Sequence, residues 1–580
     1  MIAYTTSNVK FLLSPRGNGM YLRIINLNKG AARYRYLKLV ESTRVKGKPV
    51  QKTILNFGNI EDWPPERVAD LIARLTRFFE LSPGPGPEDL SVQEAREFGA
   101  GYALDALWNQ LGLSETLRTH GKHHDYEIDI VPPVKSMVFN RLLDPHSKLG
   151  VCDWVKTQAI PEVTAREIPL HHYYRSLDYL MRHKEFLEET IFWKVADLFT
   201  LDLSLVFYDL TSSYFTGEGC PLAKHGYSRD HRPDCRQIEI GLLVNRDGLP
   251  IAHEVWEGNT ADPKTVPDTL DALAERFRLK RRVFVSDNAM ATPDNITLLR
   301  EKGYEYIVSM KLKKDARARR ILEDPTLPAP EQFVPVADHL RVYEVPSPGA
   351  GFREDERVIL CYNPERAQAT REKRALHVER GRAYLQLVAD APPKKRRPQK
   401  PEKIRAMVDR TLRKRGISVW FTYTVAPDGQ LTFQVDDATL AYEERTDGVC
   451  LLVTNTPTLS ASEVARGYRT LWEVEQAFRE MKSFLRIRPV YHYADLRVRG
   501  HVFICVLAYL LETVLEQKLQ KAGLPLSARK ALHLLKPIHL VQAVLQGKPL
   551  GKRTTITPEQ ENIYRAVGIT EVPKTPVLAD

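Results

Sequence analysis

The stretch Leu203–Gly219, LSLVFYDLTSSYFTGEG, drives an aliphatic and aromatic run into a single acid. Leu205, Val206, Phe207 and Tyr208 read as a buried strand, and Asp209 ends it. A carboxylate inside a buried strand is costly unless a hydrogen-bond network or a cation neutralises it. The plain alternative is an acid that caps the following turn through its own backbone. The choice depends on whether the rest of the chain supplies Asp209 with partners.

Two further acids answer it. Arg282–Met290, RVFVSDNAM, repeats the pattern, an apolar strand ending on Asp287. On neighbouring strands of one α/β domain the two carboxylates stand side by side and repel unless a cation sits between them. The third lies on a helix expected over Ser462–Leu485, where Tyr468, Glu475 and Lys482 are each seven residues apart. Seven residues is close to two turns, with a drift of ~20° per step, so the three form one stripe beside Leu471, Phe478 and Leu485. A partly buried helix with a snorkelling lysine and a solvated glutamate is the structural alternative.

At 580 residues the chain exceeds one core, and several domains are expected. Residues 1–81 read as a basic β-hairpin and helix module: Tyr34–Val40 and Val50–Asn56 flank a Lys46-Gly47-Lys48 turn, and Pro64-Pro65 opens a helix. Such a ribbon suits a DNA groove, and an edge kept positive against aggregation is the alternative. After the linker Ser82–Pro87, residues 88–200 read as a helical DNA-binding domain. There a plain bundle competes with a helix-turn-helix around Leu111–Leu117. Strands alternate with helices over 201–329, and strand character returns at 448–495. Residues 330–447 break that alternation, and helices at Gly500–Ala522 and Ser527–Leu545 fill the region 496–580.

The net charge is +11, which makes a polyanion a suitable partner. Most of it is local: Lys394–Gly416 holds eleven Lys/Arg against Glu402 and Asp409, a surplus of +9. A solvated loop is one reading of that run; a phosphate-backbone contact through Lys394, Lys395, Arg396 and Arg397 is the other. Six scattered cysteines suit a reducing cytosol. Cys220, His225, His231 and Cys235 match no standard zinc spacing. The apolar run Val502–Leu511 is about half the ~20 residues that span a bilayer, so no membrane is expected.

FYDLTSS, VFVSDNA and the helix Tyr468–Lys482 together resemble the DDE transposases of bacterial insertion sequences, most closely the "IS-four" type with its Tyr-x2-Arg-x3-Glu-x6-Lys signature. His225–Gln237 (HGYSRDHRPDCRQ), Gly258–Asp262 (GNTAD) and the basic N-terminal hairpin resemble segments of the same family. The signature arginine position is Leu471 here, with Arg479 one turn after Glu475 as a partial substitute. The resemblance implies an α/β RNase H-like catalytic core with a β-rich insertion, an N-terminal hairpin and all-α domain, and C-terminal helices. It implies cleavage of transposon ends and their joining to target DNA, with Asp209, Asp287 and Glu475 holding two Mg²⁺ ions (Mn²⁺ can substitute). Tyr468 and Lys482 would grip a phosphate, His225 and Arg232 would lie in a loop near DNA, and Trp420 would stack on a flipped base. The partners implied are terminal inverted repeats and target DNA, with a homodimer in synapsis, in the bacterial cytoplasm at the nucleoid. A catalytically inactive, transposase-derived DNA-binding protein and an RNase H-like nuclease without strand transfer are the alternatives.

Overall fold

The computed structural model describes residues 4–5, 19–29, 32–45, 48–79, 90–123, 127–163, 167–199, 205–277, 283–390, 400–545 and 548–575. Lys394, Lys395, Arg396 and Arg397 lie outside them. The chain divides into two compact units, Met1–Gln93 with Ala543–Leu550, and Glu94–Gln542 with Gly551–Asp580.

In the first unit β1 (Tyr4–Thr5), β2 (Gly19–Lys29), β3 (Ala32–Val45) and β4 (Lys48–Asn59) form an antiparallel sheet in chain order. Val45 pairs with Lys48, so the hairpin closes where the Lys-Gly-Lys run was read, but the whole of β2 pairs with β3 over Ala32–Ser42 and the ribbon is wider than two strands. Helix α1 (Pro65–Phe78) carries its proline in the first turn, where a missing N–H costs nothing.

Strand β5 (Leu90–Glu97) precedes α2 (Gly99–Gln110), α3 (Leu113–His123), α4 (Val131–Leu143), α5 (Lys148–Trp154), α6 (Leu170–Arg182) and α7 (Lys184–Phe199). Gly112 ends α2 at φ +61°, a conformation that costs glycine nothing. Next come β6 (Leu205–Tyr214), β7 (Gln237–Val244), β8 (Pro250–Glu257), α8 (Val266–Arg276), β9 (Val283–Ser286), α9 (Pro293–Glu301), β10 (Glu305–Ser309) and α10 (Ala316–Glu323). After them run β11 (Val334–Ala337), β12 (Leu340–Glu344), β13 (Arg357–Tyr362), α11 (Pro364–Ala389), α12 (Pro401–Lys414), β14 (Phe421–Val425), β15 (Leu431–Val435) and α13 (Asp437–Thr446). The last group is β16 (Val449–Thr454), α14 (Ala461–Arg469), α15 (Leu471–Ser483), α16 (Asp495–Lys521), α17 (Ala528–Leu535), β17 (His539–Leu545), β18 (Lys548–Arg553) and α18 (Pro558–Ala566).

Nine of these strands make one mixed sheet, β11-β12-β13-β16-β10-β9-β6-β7-β8. Strands β6, β9 and β10 run parallel, joined through α8 and α9, while β6-β7-β8 is an antiparallel meander. Each face carries a core. Phe207, Val283 and Val285 point into one with α15, α16 and the helices before β6; Val206, Tyr208 and Phe284 point into the other. The helices of 99–199 thus share a core with the sheet. Helix α16, long and apolar enough to cross a membrane, lies inside the protein, with 94% of its most apolar window buried.

Three expectations change. The insertion is not β-rich: β11, β12 and β13 extend the main sheet through β16, and the segment between β13 and β16 is mainly α11, α12 and α13 around the β14-β15 hairpin. That segment has a small core of its own, including Leu385, Val408, Leu412 and Phe421. The helix expected over Ser527–Leu545 stops at Leu535, before Pro537, and His539–Leu545 is a strand. The single helix expected over Ser462–Leu485 breaks at Thr470, whose N–H is shared between Arg466 O and Gly467 O.

Candidate active site

Parallel pairing sets Leu205 opposite Val283 and Phe207 opposite Val285, an offset of 78 residues. Carried two residues further, the same offset sets Asp209 level with Asp287, just past the end of β9. Side chains alternate across a strand, so both acids share the face of Phe207 and Val285, the face that α15 covers. Helix α15 is held there by Val474, Ala477, Phe478 and Met481, all buried, which leaves Glu475 on its exposed side.

Asp287 does what the plain alternative asked and caps a turn, whereas β6 runs on past Asp209 to Tyr214, so Asp209 meets only its neighbour within the strand. Asp209 Oδ1 accepts from the N–H of Leu210 at 2.8 Å, and Asp287 Oδ1 from the N–H of Ala289 at 2.8 Å. Those bonds do not settle the charge. Burial pushes the Asp209 carboxyl up to about 7; Asp287 and Glu475 push the same way, and the Leu210 N–H and Arg229 oppose them. Burial raises Asp287 too, with Asp262 adding its charge. Asp209 therefore feels the charge of both other acids, although among the described residues no three His, Cys, Asp or Glu side chains are already gathered to hold a metal ion. The donor set is all carboxylate, which suits a hard cation such as Mg²⁺. A divalent ion would offset the burial, and the neighbouring acids, that hold Asp209 high, so the residues fit the group.

Tyr468 sits on α14, across the Thr470 break, yet stays with the site. Burial raises its hydroxyl first, and the charges of Asp287 and Glu475 act on it as well. Lys482, two turns beyond Glu475 on α15, donates to Asp230 Oδ1 at 3.0 Å. Arg479 is exposed on that helix, and Leu471 is buried at 6% exposure, turned into the core. His225 is exposed. Arg232 is exposed and donates to both oxygens of Asp234, its guanidinium 5.1 Å from the centre of the Tyr214 ring. Trp420 is a correction: it is 8% exposed within the insertion's core, and its indole N–H donates to Glu443 Oε2 at 2.9 Å. A side chain so occupied is not presented to a base.

Beside the three acids stands an ion-pair network that the sequence did not announce. Arg229 donates to Glu239 Oε2 at 2.6 Å and to both oxygens of Asp262 at 2.8 Å, and its backbone N–H is held by Ser212 Oγ on β6. Burial lifts Glu239, on β7, to about 7 despite Arg229. An acid in the apolar run QIEIGLLV is the same signal that singled out Asp209. Two glycines let the motif segments touch: a Cβ on Gly226 would meet Gly258 O at 1.8 Å, and one on Gly258 would meet Gln237 O at 1.9 Å. The HGYSR and GNTAD stretches thus pass backbone against backbone.

Comparison with known proteins reads the same region. The family described as "Transposase DDE domain" matches residues 201–511, and "IS1634 family transposase, N-terminal domain" matches residues 22–84. The chain belongs to the DDE transposases of insertion sequences, and it is a DNA transposase. Among solved structures it is similar to a piggyBac transposase in a cryo-EM synaptic complex with hairpin DNA, at 10% identity and a TM-score of 0.33, over 70% of each chain. No curated protein matches it.

Proposed function

We propose that this transposase cuts the ends of its element and joins them to target DNA, first by hydrolysis and then by transesterification of phosphodiester bonds, at Asp209, Asp287 and Glu475. The observation that carries the reading is the register of β6 against β9, which levels the two aspartates beneath the helix that bears Glu475. The order β8-β7-β6-β9-β10, a meander followed by two parallel strands, supports an RNase H-like core.

Asp209, between the other two in charge, would hold divalent ions together with Asp287 and Glu475; Mg²⁺ is the natural choice and Mn²⁺ a substitute. When bound, such ions activate water or a 3′-hydroxyl and neutralise the attacking and leaving oxygens. The chain's own part is to place the phosphate. Tyr468 offers a hydroxyl beside Asp287 and Glu475, and Lys482 and Arg479 offer cations on the same helix. His225 and Arg232 would line the approach. Lys394, Lys395, Arg396, Arg397 and the basic surface of α12 would run along the DNA backbone, a sequence-independent contact. Terminal inverted repeats and target DNA are the partners, and two copies would meet in synapsis in the bacterial cytoplasm.

The test incubates purified protein with inverted-repeat duplexes taken from the DNA flanking its gene, in Mg²⁺, for wild type and Asp209→Ala. Wild type should nick at the repeat end and Asp209→Ala should bind without cutting. Binding by both with cutting by neither sinks the catalytic reading.

A further inference from the structure

Two cations meet on one carboxylate at the rim of the acid site. Lys482 Nζ donates to Asp230 Oδ1 at 3.0 Å, and Arg488 Nη1 donates to Asp230 Oδ2. The lysine, arginine and aspartate side chains are 15%, 24% and 11% exposed. One carboxylate cannot neutralise two cations, so the trio keeps a net positive charge. It also keeps unspent donors, since an ammonium has three N–H bonds and a guanidinium five.

The cations are held in place. The Arg488 guanidinium lies 4.8 Å from the centre of the Tyr214 ring, with that of Arg232 5.1 Å from the same centre. Stacking fixes the plane of a guanidinium that would otherwise swing. Tyr214 is the last residue of β6, the strand of Asp209, and Arg229, next to Asp230, is tied to Ser212 of that strand. Lys482 follows Glu475 by two turns. Burial pulls the Lys482 ammonium down, Arg488 and Arg229 push the same way, and Asp230 opposes them. Surplus positive charge with open donors therefore sits on a trio tied to the helix of Glu475 and the strand of Asp209.

Beyond the phosphate contact already proposed for Lys482, we infer that Arg488 is a second cation on the same DNA phosphodiester, the two forming a clamp kept in register by Asp230 and the Tyr214 ring. Arg488 is thus a positioning residue outside the signature helix, 258 residues from the aspartate that holds it. The inference rests on the acid site proposed above, and the experiment separates the two. Affinity for the same inverted-repeat duplex is measured against salt, and cutting in Mg²⁺, for wild type, Lys482→Ala, Arg488→Ala, Arg488→Lys and Asp209→Ala. Loss of either clamp cation should make the fall of log K with log salt shallower by about one. Arg488→Lys should keep the slope, and Asp209→Ala should keep it while abolishing cutting. Arg488→Gln, whose stem still covers Tyr214, replaces the alanine variant if that fails to fold. A wild-type slope in a folded Arg488→Ala or Arg488→Gln overturns the clamp. Cutting by Asp209→Ala overturns the acid site and leaves the slope to decide the clamp.

Discussion

Glu512 offers a sharp test of how the helix bearing Glu475 is supported. It lies in the middle of α16, 4% exposed, and its Oε2 has no hydrogen-bond partner among the described residues. Burial raises its carboxyl to about 9 from an ordinary 4.5; Glu480 on α15 and Glu516 on α16 add to this, and Arg529 on α17 opposes. A carboxyl raised on folding keeps its proton in the native state while the unfolded chain releases it. Stability is therefore lost as pH rises from about 4.5 to about 9. At 1.36 kcal/mol per pH unit, the loss at pH 7 is about 3 kcal/mol. Glu512→Gln keeps the shape and removes the titration. Urea unfolding followed by tryptophan fluorescence should show the variant close to wild type near pH 5, and about 3 kcal/mol more stable near pH 7. A difference that stays flat across that range would show that the carboxyl titrates normally, and the account of α16 as a dry support would be wrong.

Lys148, 5% exposed against His501, has the opposite sign: burial, then Arg141, lowers its ammonium to about 7. The unfolded chain binds more protons between about pH 7 and 10, so stability should rise with pH there, and Lys148→Met should flatten that rise in the same urea assay. Gly226→Ala should cost more than about 2 kcal/mol and displace the loop that carries Arg229, read as lost end cutting and faster proteolysis within 215–236. Arg374 donates to both oxygens of Asp447 at 2.6 Å from α11, with both residues buried. Arg374→Met should leave that aspartate with only the Arg371 guanidinium, 3.9 Å away, cost about 3–5 kcal/mol, and loosen α11 in hydrogen exchange. Trp420→Ala should destabilise the insertion by about 3–5 kcal/mol, whereas Trp420→Phe should leave end cutting near wild type.

The amino-acid sequence alone determined the local elements. The apolar run before Asp287 became β9 and the one before Asp209 the first half of β6, which runs on to Tyr214, and the proline and glycine signals at Pro65 and Gly112 bounded helices, because such rules act over a few residues. The same local rules explain the misses. A seven-residue period drew one helix through Thr470, where the backbone turns at α14–α15, and the apolar content of His539–Leu545 suits helix or strand alike. Trp420 looked available because an aromatic in a charged segment says nothing about the Glu443 that takes up its N–H.

Tertiary structure decided which charges meet. The offset that levels Asp209 with Asp287 is a property of two strands and the helix between them. The pairings of Arg229 with Asp262 and of Asp230 with Lys482 and Arg488 join residues 33, 252 and 258 positions apart. A single carboxylate can be read from its own strand. Its worth as a ligand, a cap or a counter-charge depends on burial and neighbours, and those exist only once the sheet is assembled.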